Sequence, residues 1–509
     1  MPAEDALDAL RRRRAQTEDA ARPEAVAKRH DRGGRTAREN VHDLIDSGPW
    51  VEYGRFAIAP QRARRDIDDL RASTPADGLV AGTATIDGQP VAVLAYDYTV
   101  LAGTQGAVGH LKKDRLFELI ERLRLPVIFF AEGGGGRPGD TDYPAVSALH
   151  VRAFALWARL SGKVPRIAIV HGRCFAGNAV IAGCSDLIIA TEGSSIGMGG
   201  PAMIAGGGLG DVAPDDVGPS AVHERNGVID VLVADEAEAV VAAKRLLADL
   251  RGTESAWRAS DQFPLRDVIP EQARRAYDVI PVVERIADSG STTILRRRSA
   301  PEMVTAIVRI EGRPVGVIAN NSMYMAGTIT APAAEKAARF LQLCDSFGLP
   351  VLSLIDTPGY MVGPEAEAEG LVRRASRLLI AGGALSVPLI AVVLRRGYGL
   401  GAQAMAGGSL HEPVLTVAWA GAHLGPMGLE GAVRLGLRTE LAAIDDEDER
   451  EARVRELTAL AVQNADALNA AQIFELDDVI DPADTRASVV RALGAIGPVS
   501  GSGHPVDSF

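Results

Sequence analysis

Between positions 86 and 93 the apolar pattern breaks at Asp87-Gly88, a pair suited to the two positive-φ positions of a tight hairpin turn, so two strand pieces are expected there. From 108 to 123 the period changes to that of a helix, with Leu111, Leu116, Leu119, Ile120 and Leu123 on one apolar stripe. Pro126 stops that helix, and positions 127–130 read as a short buried strand. A helix over 152–160, a strand over 167–170, a Gly-containing loop, a short helix from Ala179 and a strand over 187–190 follow. The repeated β-β-α order predicts an α/β spiral rather than a bundle or sandwich.

The pattern then recurs. Ile86-Asp87-Gly88-Gln89-Pro90-Val91 returns as Ile310-Glu311-Gly312-Arg313-Pro314-Val315, at an offset of 224. Leu125-Pro126-Val127-Ile128 returns as Leu349-Pro350-Val351-Leu352 at the same offset, and Val164-Pro165 returns as Val387-Pro388 at 223. Three ordered matches at nearly one spacing imply internal duplication. The expected division is a helical N-terminal extension over 1–72, a first half over 73–255 and a second half over 256–509, with the join in the Gly-, Pro- and charge-rich stretch between Arg251 and Ser291.

Composition narrows the chemistry. Aromatic residues make up 5% of the chain and glycines number 54, so the core must rest on Ala, Val, Leu and Ile with close backbone approaches. A net charge of −12 argues against nucleic-acid binding, and the Arg11–Arg14 run reads as a solvated helix face. No apolar run is long enough to span a membrane, and the charged first twenty residues lack the apolar centre of a signal peptide. Cys174, Cys184 and Cys344 form neither a paired framework nor a zinc motif, which fits a reducing cytoplasm and leaves no metal site expected.

Two loops hold the same place in the two copies. One runs His171-Gly172-Arg173-Cys174-Phe175-Ala176-Gly177-Asn178-Ala179, the other Arg395-Arg396-Gly397-Tyr398-Gly399-Leu400-Gly401-Ala402-Gln403. Each follows a buried strand and opens a helix, where backbone N–H groups point outward with the helix dipole behind them. Such donors can hold an enolate or similar oxyanion, and removing one costs about 3–4 kcal/mol of transition-state stabilisation. The competing reading is that the glycines only allow close helix–strand packing.

At these residues the chain resembles the carboxyltransferase (beta) subunits of biotin-dependent acyl-CoA carboxylases, of the acetyl-, propionyl- and methylcrotonyl-CoA type. The Phe175-Ala176-Gly177-Asn178 loop, Ser195-Ile196-Gly197-Met198-Gly199-Gly200-Pro201, Asp356-Thr357-Pro358-Gly359-Tyr360, Tyr398-Gly399 and Gly425-Pro426-Met427-Gly428 carry the likeness, which runs from about Lys28 to about Arg486. The resemblance implies two tandem crotonase-like domains. It also implies an acyl-CoA substrate, and biotin carried on a separate chain, a biotinylated carrier or biotin carboxylase subunit. The released CO₂ is attacked by an acyl enolate after the biotin ureido group takes the α-proton. Ala176 and Gly177 would hold the thioester oxygen, and Leu400 and Gly401 the ureido oxygen, with the assignment of loop to ligand left open. Phe175, Gly133, Gly134, Tyr398 and Gln403 would line the substrate. His110 and Lys113 resemble a family pair near the CoA site, with a capping or solvated role as the alternative. For Arg137 a solvated side chain competes with a CoA phosphate contact. Subunits of this type build each site from two chains, so a homo-oligomer, a dimer or ring of dimers, is implied.

The likeness has departures. Many relatives carry Gly at Ala176 and Leu400, and short-chain relatives often carry Asp at Gln403, which leaves acyl length open. No Met-Lys-Met biotin-attachment motif occurs. A malonyl-type acyl-CoA decarboxylase shares the enolate, and a non-catalytic assembly subunit shares the fold. Two formal motifs fail. Gly193-Ser194-Ser195-Ile196-Gly197 lacks the helix a hydrolase elbow needs, and Pro138-Gly139-Asp140 blocks the helix that a dinucleotide fingerprint at Gly134 requires.

Overall fold

The computed structural model describes residues 3–137, 139–143, 147, 149–272 and 275–509; Pro138 lies outside the described residues. The chain divides into two compact units, Met1–Ala248 and Asp249–Asp507. The division falls seven residues before the expected end of the first half, because Asp249 is held by the second unit through a 3.0 Å bond from Arg309. The N-terminal segment supplies the helices Ala3–Ala15, Pro23–His30, Ala37–Leu44 and Ile67–Ser73 to the first unit.

Each unit is built on one sheet. In the first the strands run in the order Val51–Glu52, Leu79–Ile86, Gln89–Tyr96, Val127–Phe130, Arg166–Val170, Leu187–Thr191 and Val231–Val233. In the second the order is Thr293–Leu295, Met303–Ile310, Arg313–Asn320, Val351–Thr357, Leu389–Tyr398, Leu415–Trp419 and Asp478–Ile480. In both, the first two pairings are antiparallel and the rest parallel. The register repeats as well. Ala92 pairs with Val127 as Gly316 pairs with Val351, and Val127 with Arg166 as Val351 with Leu389. The duplicated α/β plan expected from the sequence offset is thus present twice, strand for strand.

Local chemistry explains the shared elements. Asp87 and Gly88 sit at φ 50° and 73°, Glu311 and Gly312 at 52° and 73°, the two positive angles a twisted hairpin turn needs. In each unit an aspartate from the preceding segment accepts both turn N–H groups, Asp46 in the first and Asp288 in the second. The long helices Ala107–Leu123 and Ala331–Phe347 both end on a left-handed residue, Arg124 and Gly348. In the first core Phe117 and Phe129 pack on Trp157 at 5.0 and 5.8 Å. In the second unit Gly316 lies so close to helix Ala331–Phe347 that a Cβ there would fall on the Cys344 sulfur; its first-unit counterpart is Ala92, facing the helix position of Ile120.

The helical stripe needs correction. Leu111 and Leu123 are exposed, and the buried face is Gly109, Lys112, Lys113, Leu116, Phe117 and Ile120. Two lysines, which hydropathy assigns to solvent, occupy it. Lys112 donates to the carbonyls of Ala76 (2.9 Å), Gly54 and Leu79. Its equivalent Lys336 donates to those of Arg296 (2.9 Å), Ser299 (2.8 Å) and Ala300. Each ammonium thus clamps the loop that leads into its unit's first long strand.

Burial lowers the Lys112 pKa to about 8 and that of Lys336 to about 7. An unfolded lysine holds its proton to about pH 10.4. Between about pH 7 and pH 10 the unfolded chain therefore binds more protons than the folded one, and these clamps should make stability rise with pH. Urea unfolding of wild type and Lys336→Met across that window checks this. The variant should show a shallower rise, and parallel curves would place the titration elsewhere.

Candidate active site

The strand Arg166–Val170 leads through His171-Gly172 into Arg173–Phe175, which pairs in parallel with Ser195–Gly197. The chain then turns sharply at Ala176, whose φ of 52° and ψ of −121° lie where L-residues are rare, and enters helix Gly177–Gly183. Ala176 is not a free donor. Its N–H bonds to the Gly197 carbonyl at 3.0 Å and its own carbonyl accepts from Val180 at 2.9 Å. The expected donor pair is corrected accordingly, because continuing the short sheet engages the first of the two amides. The N–H of Gly177 opens the helix and meets no acceptor among the described residues.

Gly133 and Gly134 also have engaged amides, bonded to the carbonyls of Arg173 (2.7 Å) and Ala102 (3.1 Å). They build the floor of the loop rather than offer donors. Gly135 is the one that faces the turn. Its φ is +96°, a Cβ there would sit 2.9 Å from the Ala176 Cβ, and its N–H has no acceptor among the described residues. Sequence reasoning passed over it because four consecutive glycines give no sign of which ones take positive φ or which amide stays open; Gly133 is at +144° and Gly135 at +96°. The repeat carried that sign: the equivalent position in the second copy is Gly359, at φ +124°.

In the second unit the short pairing of Arg396–Tyr398 with His423–Gly425 fixes the register of the other loop. Gly399 (φ +59°) is thereby the counterpart of Ala176 in the repeat, Leu400 that of Gly177 and Gly401 that of Asn178. The two expected donor pairs are therefore one residue out of step with each other. Leu400 is exposed and lines a cavity of about 640 Å³ with Gln403, Leu410, His411, Leu424 and Pro426. Tyr398 is buried at the end of its strand, as Phe175 is in the first unit. Gly401 packs on Gly359, where a Cβ would stand 2.7 Å from the neighbouring Cα.

The remaining candidates are internal groups. The Arg137 side chain is buried, bound to the Asp77 carboxylate and to the Thr104 carbonyl at 2.9 Å, so it is neither solvated nor free for a phosphate. Lys113 is fully buried, donates to Gln105 Oε1 at 2.7 Å and lies over the rings of Tyr96 and Phe154; burial pushes its pKa down to about 7. His110 stacks edgewise on Phe154 at 6.0 Å, and burial beside Lys113 pushes its imidazole down to about 3, so the ring is neutral. His171 is buried beside Glu236 and Arg29. Ser195 is buried within a strand and bonds to the Pro214 carbonyl, which disposes of the hydrolase motif.

A buried carboxylate ends the corresponding strand in each unit. Glu132 binds Arg29 through two bonds of 2.9 and 3.0 Å. Asp356, its equivalent in the second copy, binds Arg395 at 2.8 Å and Arg396 at 2.7 Å. Both anchor the segment that leads into an oxyanion loop.

Comparison with known proteins gives a consistent family. The carboxyl transferase domain matches residues 28–497. The methylmalonyl-CoA carboxyltransferase 12S subunit of Propionibacterium freudenreichii subsp. shermanii is 35% identical over 480 residues, covering 92% of this chain and 90% of its own. The propionyl-CoA carboxylase beta chain of Saccharopolyspora erythraea is 32% identical over 508 residues, covering 95% and 91%. Among solved structures, a single-chain, multi-domain long-chain acyl-CoA carboxylase superposes with a TM-score of 0.92 at 53% identity over 97% of this chain; this chain spans 49% of that protein. The transcarboxylase 12S hexamer with methylmalonyl-CoA bound superposes with a TM-score of 0.86 at 31% identity, over 97% and 95%. The two sheet-bearing halves are those of the crotonase-like superfamily. With a duplicated spiral, two loops in register and a match over nearly its whole length, the chain belongs to the carboxyl transferase domain family.

Proposed function

We propose that this chain is the carboxyltransferase component of a biotin-dependent acyl-CoA carboxylase, working in the cytoplasm, to which its three free cysteines are suited. The observation that carries the reading is the open N–H of Gly177 at a helix start, next to a strained Ala176 against which Gly135, its own N–H also open, is packed. Carboxybiotin, delivered on a separate chain, would release CO₂, and the ureido anion left behind would accept the α-proton so that the resulting enolate attacks the CO₂. The Gly177 and Gly135 donors hold the thioester oxygen as it becomes an enolate oxyanion, where fixed dipoles act without reorganisation. Leu400 and Gly401, in the first turn of helix Gly399–Met405, hold the ureido oxygen. A pair of donor loops needs no side-chain base, in keeping with the engaged or neutral state of Arg137, His110 and Lys113.

The 53% identity to a long-chain acyl-CoA carboxylase favours a long acyl chain as substrate. The hexameric 12S relative supports a homo-oligomer in which the first half of one subunit and the second half of another complete each site. Purified chain supplied with a carboxybiotin carrier should carboxylate palmitoyl-CoA with higher kcat/KM than propionyl-CoA, and should sediment above monomer mass. Activity confined to short acyl chains would overturn the chain-length assignment, and a fully active monomer would overturn the shared site.

A further inference from the structure

In the first unit a line of buried polar side chains runs from the long helix to the oxyanion loop. Lys113 Nζ donates to Gln105 Oε1 at 2.7 Å. Gln105 Nε2 donates to Asn178 Oδ1. Asn178 Nδ2 donates to the carbonyls of Glu132 (3.1 Å) and Gly103 (3.3 Å). Lys113 and Asn178 are 0% exposed and Gln105 is 4% exposed. The line ends on the loop itself, since Asn178 follows Gly177 and a Cβ at Gly177 would stand 3.0 Å from Gln105 Nε2.

The second unit shows that the fold does not require this line. The same offsets turn Gln105 into Ile329, Lys113 into Ala337 and Asn178 into Gly401. The backbone is otherwise unchanged. Gln105 N–H bonds to Gly135 O at 2.7 Å as Ile329 N–H bonds to Gly359 O at 3.0 Å, and Arg137 N–H bonds to Gln105 O as Met361 N–H bonds to Ile329 O. Lys112 and Lys336 are kept in both units because they clamp carbonyls, whereas Lys113 makes its hydrogen bond to one side-chain oxygen. A buried ammonium is unfavourable unless well paired, so its presence in one copy alone calls for a role the other copy lacks.

Hydrogen-bond chemistry supplies that role. In its protonated form Lys113 has donors only, so it faces the oxygen of the Gln105 amide. That fixes the amide with its N–H₂ edge toward Asn178 and Gly177. Turned over, the amide would place its oxygen against the loop, losing the bond to Asn178 and opposing negative charge on a bound oxyanion. We propose that Lys113 is a positioning residue that, through the orientation of Gln105, keeps a donor edge behind the Gly177 amide and so tunes the oxyanion loop of the first unit. This rests on the carboxyltransferase reading above.

Gln105→Glu tests it. The carboxylate would pair with Lys113 at least as well as the amide does, so the Lys113 end of the line is kept. It would also put an acceptor edge against Asn178 and Gly177. Carboxyl transfer from a carboxybiotin carrier to a saturating acyl-CoA should then fall by about tenfold to a hundredfold in kcat, with KM for acyl-CoA within about threefold in protein that remains folded at the assay temperature. Lys113→Met, which removes the orienting donor, is measured in parallel and keeps the test open if the first variant does not fold. Wild-type kcat in folded Gln105→Glu or Lys113→Met protein would overturn the positioning role while leaving the carboxyltransferase reading intact. A wild-type chain with no carboxyl transfer to any acyl-CoA would remove both.

Discussion

Gly177→Pro should lower carboxyl-transfer turnover by about 10²–10³, the loss expected when one oxyanion donor is removed. Gly177 is the first residue of its helix, where a missing N–H leaves no helical bond unmade and the fixed φ of proline already suits the helix. Proline also steers the residue before it to extended backbone, whereas Ala176 stands at φ 52° and ψ −121°, so circular dichroism and the thermal midpoint of the variant are read alongside turnover. A new Cβ does meet Gln105 Nε2 and Phe154 Cζ, both at 3.0 Å, so packing must give by a few tenths of an ångström. Gly177→Ala carries the same Cβ and keeps the N–H, and the kcat ratio between the two variants isolates the donor. Gly172→Ala is no substitute control, because its Cβ would fall on the buried Glu132 carboxylate. Equal turnover in folded Pro and Ala variants would reduce the loop to a packing device.

The second large effect is on stability. Asp356→Asn should destabilise the second unit by about 3–5 kcal/mol, the range for breaking a buried ion pair from one side. The Asp356 carboxylate is fully buried between two guanidinium groups, with Arg395 at 2.8 Å and Arg396 at 2.7 Å. Asparagine keeps the shape and loses the charge, so the two guanidinium groups lose the carboxylate that binds them both. Arg396 lies in the strand that runs directly into Gly399 and Leu400, and turnover should fall with the stability. Urea unfolding followed by tryptophan fluorescence reads the first effect, Trp419 lying in this unit's core. A midpoint unchanged from wild type would show that the arginines are balanced by other groups.

Much of this architecture was legible because duplication supplies its own alignment. The offset located the two hairpins, the parallel strands after Leu125 and Leu349, and both loops, since each depends on short-range turn chemistry and apolar runs. Hydropathy misreads the helix face where charge and geometry part. Lys112 and Lys113 are charged, yet their stems and ammonium groups fit a buried face once carbonyls or an amide receive them, and this turns Leu111 and Leu123 outward. Within the loops, Phe175-Ala176-Gly177 and Tyr398-Gly399-Leu400 place their glycines at different steps. The one-residue shift between them is already present in the offset of 223 at Val164 and Val387, and the pairing of Arg173–Phe175 and Arg396–Tyr398 with their neighbouring strands agrees with it. Whether an amide is open depends on a carbonyl far along the chain, as Gly197 is for Ala176, and no local pattern carries that.

The close seat of Gly316 on Cys344 bears on how a chain with two copies of one sheet folds without error. During synthesis a hairpin from one copy could add to the unfinished sheet of the other, since both offer the same strand order and register. Placing the first hairpin in the second sheet would set the methyl group of Ala92 on the Cys344 sulfur, where there is no room for it. The reverse exchange would set Gly316 over the place of Ile120 and leave a methyl-sized void, worth about 1 kcal/mol. Each copy thus fits its own hairpin better than its twin's, and a difference of one methyl group helps keep the two nascent sheets from trading strands.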